Sequence, residues 1–429
     1  MLKNYTYNIS TLPSGLRLLH IPFEEAASVY VCISGKVGRR AERANEVGAA
    51  HFLEHLFFDG TPSHPSATAL STFIDWHGAD HNGTTSTDTV EYFTHALPEK
   101  AEVCMEYLSD IFFNSLLRDA DIEKERKVIK EEASSRRDEP SSLIGRKFWS
   151  VLYPGQAIGR TILDEEENLP HIQRAQLLAY MQRNYHAQNF VLCVAGNIQH
   201  AEAQTLAEKY FSTIRSGPEV RFDPALIAKE GSVTLLHKKD LTQAKLRIGF
   251  SGFAHMSTEA HIAGVLGGIL GGMSSSRLFT TLRDELHLVY GIGAGHTAMV
   301  DTGYFSISTS LQEDKMPQAV EAIFAQIQKL LEDGVTDEEL ERVKNSIRTD
   351  IAFGVERVVA HAEAATNYLL FHNTVPQPHD ELDKILRITK ADVLRIARQI
   401  FADAPKVVAL SEKIAELQIP SLHLGPIHK

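Results

Sequence analysis

An internal repeat of about half the chain length most constrains how these 429 residues can fold. The strand-like run Ser28-Val-Tyr-Val-Cys-Ile-Ser-Gly35 has a counterpart in Ala244-Lys-Leu-Arg-Ile-Gly-Phe-Ser-Gly252. TVEYFTHAL, ending at Leu97, matches GYFSISTSL, ending at Leu311, an offset of 214. Asp121-IEKERKVIKEE matches Glu339-LERVKNSIRTD, an offset of 218, and both read as charged helices with an apolar stripe. Three matches in the same order predict two homologous halves. Each mixes hairpin-like strands with long helices, and the strand connections read as local. The expected class is α+β: two domains, each an antiparallel sheet with helices packed on one face. The region 212–232 carries Gly217, Pro218, Pro224 and Gly231 with little periodicity, which is linker composition. The predicted division is therefore 1–215, a linker at 216–232, and 233–429. The tail after Leu410 is expected to dock or fray.

Composition narrows the function. A net charge of −12 argues against nonspecific nucleic-acid binding, which needs a basic face. No uninterrupted apolar run of about 18 residues occurs, so no membrane span is expected. The first twenty residues lack secretory or transit-peptide character, which makes cytoplasmic the default expectation. Cys32, Cys104 and Cys193 form no CxxC pair and sit among apolar neighbours, so buried thiols are expected rather than a disulfide or thiolate metal site. The Gly pairs at 267–272 lack both the P-loop Lys-Ser/Thr and the GxGxxG spacing, which sets nucleotide binding aside.

The sharpest chemical signal is Ala49-Ala-His-Phe-Leu-Glu-His-Leu-Phe-Phe-Asp-Gly60. Residues four apart share a helical face, so His51 and His55 can present imidazoles to one ion. Glu54 lies close enough to reach a water on that ion without being a ligand. Gly60 is placed to cap the helix. This is the inverted HxxEH arrangement found among zinc peptidases. The alternative is a core helix with two satisfied histidines. A hydrolytic site needs a third protein ligand and an open position. The helix expected over Asp121–Arg136 offers Glu123, Glu125, Glu131 and Glu132. Glu125 and Glu132 share a face, Glu131 points roughly 100° from Glu132, and periodicity does not choose between Glu131 and Glu132.

These residues resemble the inverted-motif zinc peptidases, the M16 family that includes mitochondrial processing peptidase, pitrilysin and insulin-degrading enzyme. The closest likeness is to its short, bacterial-type members, over essentially the whole chain. HFLEHLFFDGT resembles the family's zinc helix, and ERKVIKEEASSRRDEP the helix bearing the third ligand. The resemblance implies a LuxS/MPP-like metallohydrolase fold, Zn²⁺ held by His51, His55 and Glu132, and Glu54 as general base. It gives Glu125 an auxiliary acidic position that supports activity. Gly78-Ala-Asp-His-Asn-Gly-Thr-Thr85 is similar to the family's G-x-x-N-A-x-T strand beside the metal, with Gly83 in place of Ala. That similarity gives Asn82 a contact with extended substrate; a turn Asn is the competing reading. The segment from Ser275 to Tyr290 resembles the family's R/Y segment, which implies substrate-binding and catalytic support from Arg283 and Tyr290. By spacing alone these read as a surface Arg and a core Tyr.

The resemblance further implies a zinc endopeptidase acting on peptides or unfolded segments, working as a homodimer, with a heterodimer as the alternative. Other outcomes are a catalytic subunit that needs a separate non-catalytic partner, and a non-catalytic structural member. In the second half the zinc helix aligns with Gly267–Gly272 and Glu132 with Asp350, so that half is expected to lack the metal ligands.

Overall fold

Runs of β-branched and aromatic residues become the central strands of two sheets. The structure, a computed structural model, describes residues 4–422. In the first sheet the strands are β1 (Asn8–Thr11), β2 (Arg17–Pro22), β3 (Val29–Gly35), β4 (Asp80–Thr85), β5 (Val90–Ala96) and β6 (Phe190–Gly196). They lie in the order β1-β2-β6-β3-β5-β4. The second sheet comprises β7 (Ser232–His237), β8 (Ala244–Ser251), β9 (Val289–Ala298), β10 (Gly303–Leu311) and β11 (Lys406–Ser411), in the order β7-β11-β8-β10-β9.

The two orders superpose as β2/β7, β6/β11, β3/β8, β5/β10 and β4/β9, which is the repeat seen in the sequence. Both sheets are mixed. The expected purely antiparallel sheets fail at one pair each, β2 with β6 and β11 with β7, which run parallel. The reason is topological. A late strand (β6, β11) returns through helices to insert between two early ones, so the connections are not all local.

Expecting helices on one face only also requires correction. Every residue of β3 and β6 is buried, which demands cover on both faces. One face packs on the HxxEH helix Ala49–Phe57 and helices Ala101–Asn114 and His200–Phe211. The other face, carrying Leu19, Ile21, Tyr30, Cys32 and Cys193, packs on Ala362, Ala365 and Leu369 of helix Val358–His372. The second sheet repeats the arrangement: helix Pro140–Leu152 lays Ile144, Phe148 and Leu152 against Val408 and Leu410 of β11.

The chain thus forms two discontinuous units, one of residues 1–135, 160–223 and 352–379, the other of 136–159, 224–351 and 380–429. The contiguous halves 1–215 and 233–429 differ from this division at two helical segments, because each helix serves the sheet of the opposite half of the sequence. The expected linker has no regular structure over 213–231 but is tied down. Within the first unit Val220 N donates to Asn189 Oδ1 and Arg40 Nη2 donates to Asp223 O. In the second, Ala228 N donates to Leu152 O. The tail docks as far as it is described, with Leu417 buried in the second core; its last seven residues lie outside the described region.

The stretch Thr258–Glu285 is long and apolar enough in composition to cross a membrane, contrary to expectation, yet 56% of its apolar window is buried within the protein. Ile262, Leu266, Ile269 and Leu270 belong to the second core, which makes this a core element. All three cysteines are buried and free, as their apolar neighbours suggested.

Candidate active site

The HxxEH helix Ala49–Phe57 starts at Gly48, whose φ of 95° is left-handed and which has no side chain to cap the first turn. A carboxylate from outside the helix does the capping: Glu42 Oε1 accepts from Ala50 N at 2.9 Å. Burial, with Glu165 nearby, pushes the Glu42 carboxyl up to about 8, against the pull of Ala50 N–H and Arg39. The helix ends at Phe58, not at Gly60 as its sequence position suggested. Gly60 instead holds a φ of 136° where the chain turns, and an added Cβ would lie 2.9 Å from the Pro65 backbone.

His51 and His55 share one helical face, with their Nε2 atoms 3.3 Å apart. Glu132 Oε2 lies 3.6 Å from the first and 3.9 Å from the second. Each ring's other nitrogen meets a carboxylate. His51 Nδ1 is 2.8 Å from Glu165 Oε2, and His55 Nδ1 is 2.9 Å from Glu125 Oε2. An ionised carboxylate can only accept, so both Nδ1 atoms carry a proton, and in the neutral rings both Nε2 atoms present lone pairs. Three acceptors therefore converge with no hydrogen-bond donor among them. A tetrahedral ion held at about 2.0–2.1 Å separates neighbouring ligands by about 3.4 Å; the His–His edge matches this, and the two edges to Glu132, at 3.6 and 3.9 Å, are somewhat wider. The donor set fits Zn²⁺, and His51, His55 and Glu132 are the group of described residues placed to hold it.

Electrostatics fix the supports. Burial would raise the Glu125 carboxyl, but the His55 hydrogen bond and Lys124 outweigh it and hold it down at about 2. Lys124 Nζ bridges Glu125 Oε1 at 2.9 Å and Asp59 Oδ1 at 2.5 Å. Burial opposes a charge on His55 as well, yet Glu125 and the nearby Glu54 and Glu132 raise its pKa. Glu165 is fully buried, and His51 and Arg39 overcome the burial cost to keep its pKa low. Arg39 Nε reaches Glu165 Oε1 at 2.6 Å.

The ambiguity between Glu131 and Glu132 is resolved by burial. On helix Asp119–Asp138 the residues Ile122, Glu125, Ile129 and Ala133 face inward, with Glu132 half-buried beside them, while Glu131 is exposed. Glu123 is exposed and pairs with Arg126. The sequence reading missed Glu165, Arg39, Glu42 and Lys124. Nothing in Asp164-Glu-Glu-Glu167 sets Glu165 apart from its neighbours; only the fold selects it.

Asn82 lies in β4 rather than in a turn, exposed on a strand that among the described residues pairs only with β5. Its Oδ1 accepts from Gly83 N at 2.9 Å. Gly83 packs against the general-base candidate: a Cβ there would sit 2.9 Å from Glu54 Cγ. In the second unit, Arg283 stacks its guanidinium 5.3 Å from the Tyr290 ring and 4.6 Å from Phe279. Tyr290 is 80% exposed, so the core reading of that residue is wrong.

A helix presenting inverted HxxEH beside an open sheet edge, on a duplicated α+β framework, defines a zinc-peptidase type of site. Residues 18–166 match the family model described as Insulinase (Peptidase family M16), and residues 171–347 match Peptidase M16 inactive domain. The chain belongs to peptidase family M16. An uncharacterized zinc protease of Rickettsia bellii is 31% identical over 93% of this chain and 96% of the relative. One from Bacillus subtilis is 29% identical over 94% and 96%. The crystal structure of a protease from Helicobacter pylori superposes with a TM-score of 0.87 at 21% identity, covering 95% of this chain and 100% of that one, a likeness of fold. The "inactive domain" match falls on the half where Gly267–Gly272 replaces the zinc helix.

Proposed function

We propose that this chain is a zinc-dependent endopeptidase acting on peptides or unfolded segments. One observation carries the reading: three acceptors converge within ion-binding distance while both histidines are held in the metal-binding tautomer by buried carboxylates. Zn²⁺ bound there would supply Lewis acidity toward the scissile carbonyl and an adjacent water. Glu54, on the same helix but outside the ligand set, takes the water's proton and delivers it to the departing amine. The unpaired edge of β4 takes substrate as an added strand, with Asn82 aligning its backbone. Arg283 and Tyr290 donate hydrogen bonds to substrate carbonyls and to the oxyanion that develops. A homodimer supplies both sets from one sequence, and we place it in the cytoplasm.

The test is metal content together with cleavage of a quenched fluorescent peptide library. Wild type should carry one zinc per chain and cleave, and Glu54→Gln should keep zinc and be inactive. Zinc bound without cleavage by wild type favours a chain that needs a second, non-catalytic subunit. Absence of zinc favours a structural role.

A further inference from the structure

The second unit contains a cavity of about 580 Å³ over the outer face of its sheet, lined in part by the exposed Tyr290. Its lining includes Lys245 and Arg247 and no acidic residue, in a chain whose net charge is −12. Strand register explains how it is built. Lys245 of β8 lies opposite Ser310 of β10, which lies opposite Gly291 of β9. One rung along, Arg247, Ser308 and Gly293 repeat the arrangement. Directly paired residues share a face, so each rung runs from a cation across a hydroxyl to bare backbone. The intervening Leu246, Ile248 and Ile307 point to the core.

The cations are held but not neutralised. Among the described residues neither Lys245 nor Arg247 has a carboxylate within ion-pair distance. Lys245 Nζ donates to Ser310 Oγ at 3.1 Å. Arg247 stacks 4.2 Å from the Phe148 ring, and its buried Nε has no hydrogen-bond partner. The space over the glycines is not needed for packing, since a Cβ added at Gly291 or Gly293 would meet nothing within 4 Å.

We infer that this cavity binds acidic side chains of an extended peptide. Alternate residues of a strand stand about 7 Å apart, so the Lys245 and Arg247 rungs match carboxylates at positions i and i+2 of an extended chain. Among the described residues β9 is an edge strand that pairs only with β10, and its glycines let a second chain lie close. Tyr290 forms a wall of the cavity and also stacks on Arg283, making the cavity continuous with the pair to which the proposed function gives substrate contact. The inference rests on that reading for its substrate class, and it makes the peptidase selective for acidic segments.

The test is equilibrium binding, by fluorescence anisotropy, of two blocked peptides to the full chain carrying Glu54→Gln: alternating Glu-Thr and alternating Gln-Thr. The Glu peptide should bind about tenfold tighter at low salt, with the preference shrinking as salt rises. Lys245→Gln and, separately, Gly293→Val should each remove most of the preference. The second variant adds a strand-favouring residue in open space and so preserves folding. Equal binding of the two peptides overturns the inference, as does a preference that survives both variants. Turnover is not read, so loss of this preference leaves the peptidase reading intact. An inactive wild type, with the preference kept in the Glu54→Gln chain, sinks only the peptidase reading.

Discussion

Glu165 Oε2 lies 2.8 Å from His51 Nδ1, and its other oxygen is held by Arg39 at 2.6 Å. The buried pair fixes the orientation of the imidazole, and it sets the tautomer that leaves Nε2 open. Glu165→Gln can still accept from Nδ1–H but loses its charge. Zinc affinity should fall about 10- to 100-fold, measured by competition with a chromophoric chelator. An unchanged affinity would show that the helix alone positions His51.

Glu131 and Glu132 are adjacent in sequence, the first exposed and the second half-buried beside the histidines, so paired neutral variants separate ligand from bystander. Glu132→Gln should lose bound zinc and all cleavage, while Glu131→Gln should retain both within about twofold, because it removes only a solvated charge. Metal analysis of the two purified variants decides it; zinc retained in Glu132→Gln would refute the ligand set.

Gly83 touches Glu54, the residue given the proton transfers. A methyl group at 83 has to displace the Glu54 Cγ that now lies at 2.9 Å. Gly83→Val, bulkier than the Ala that the family motif carries at this position, should therefore keep zinc and lower kcat about tenfold or more, with KM little changed. Steady-state kinetics on one good peptide suffices. A full-rate variant would mean that Glu54 has room to move.

The second unit holds a pair whose pH dependence can be worked out. Burial would raise the Glu381 carboxyl, but His261 Nε2 at 2.8 Å, together with Lys384, holds it at about 2, below its ordinary value of 4.5. The unfolded chain binds that proton more readily, so the pair's stabilisation is complete above about pH 4.5 and is lost as pH falls toward 2. Glu381→Gln should cost about 1–3 kcal/mol near pH 6. The gap in Tm between wild type and variant should close progressively between about pH 4.5 and pH 2. A gap that persists into acid would mean that the variant's cost is packing rather than charge.

The duplicated framework was legible because matched strands repeat at a constant offset, and a repeat in sequence becomes a repeat in strand order. His51, Glu54 and His55 were legible because helical periodicity alone puts them on one face. Glu132 was legible through the family resemblance, and the fold shows what sets it apart. It is three residues after Ile129 and seven after Glu125, on the stripe that Ile122, Ile129 and Ala133 define, and Glu131 is not. The supports of the site were not legible. Arg39 and Glu165 are 126 positions apart, and no local pattern separates a buried glutamate from two neighbours of the same type. The parallel strand pairs escaped for a similar reason: period-two alternation reports which face a residue takes, not which strand lies alongside.

The segments that cover the two sheets have a consequence for the order in which this protein can be made. The first sheet contains strands from the opening 196 residues, yet its outer layer is helix Val358–His372. During synthesis β3 and β6 therefore leave the ribosome with one oily side bare and stay so until more than 150 further residues have been added. A gene cut at the apparent midpoint would yield two pieces, each carrying the lid meant for the other.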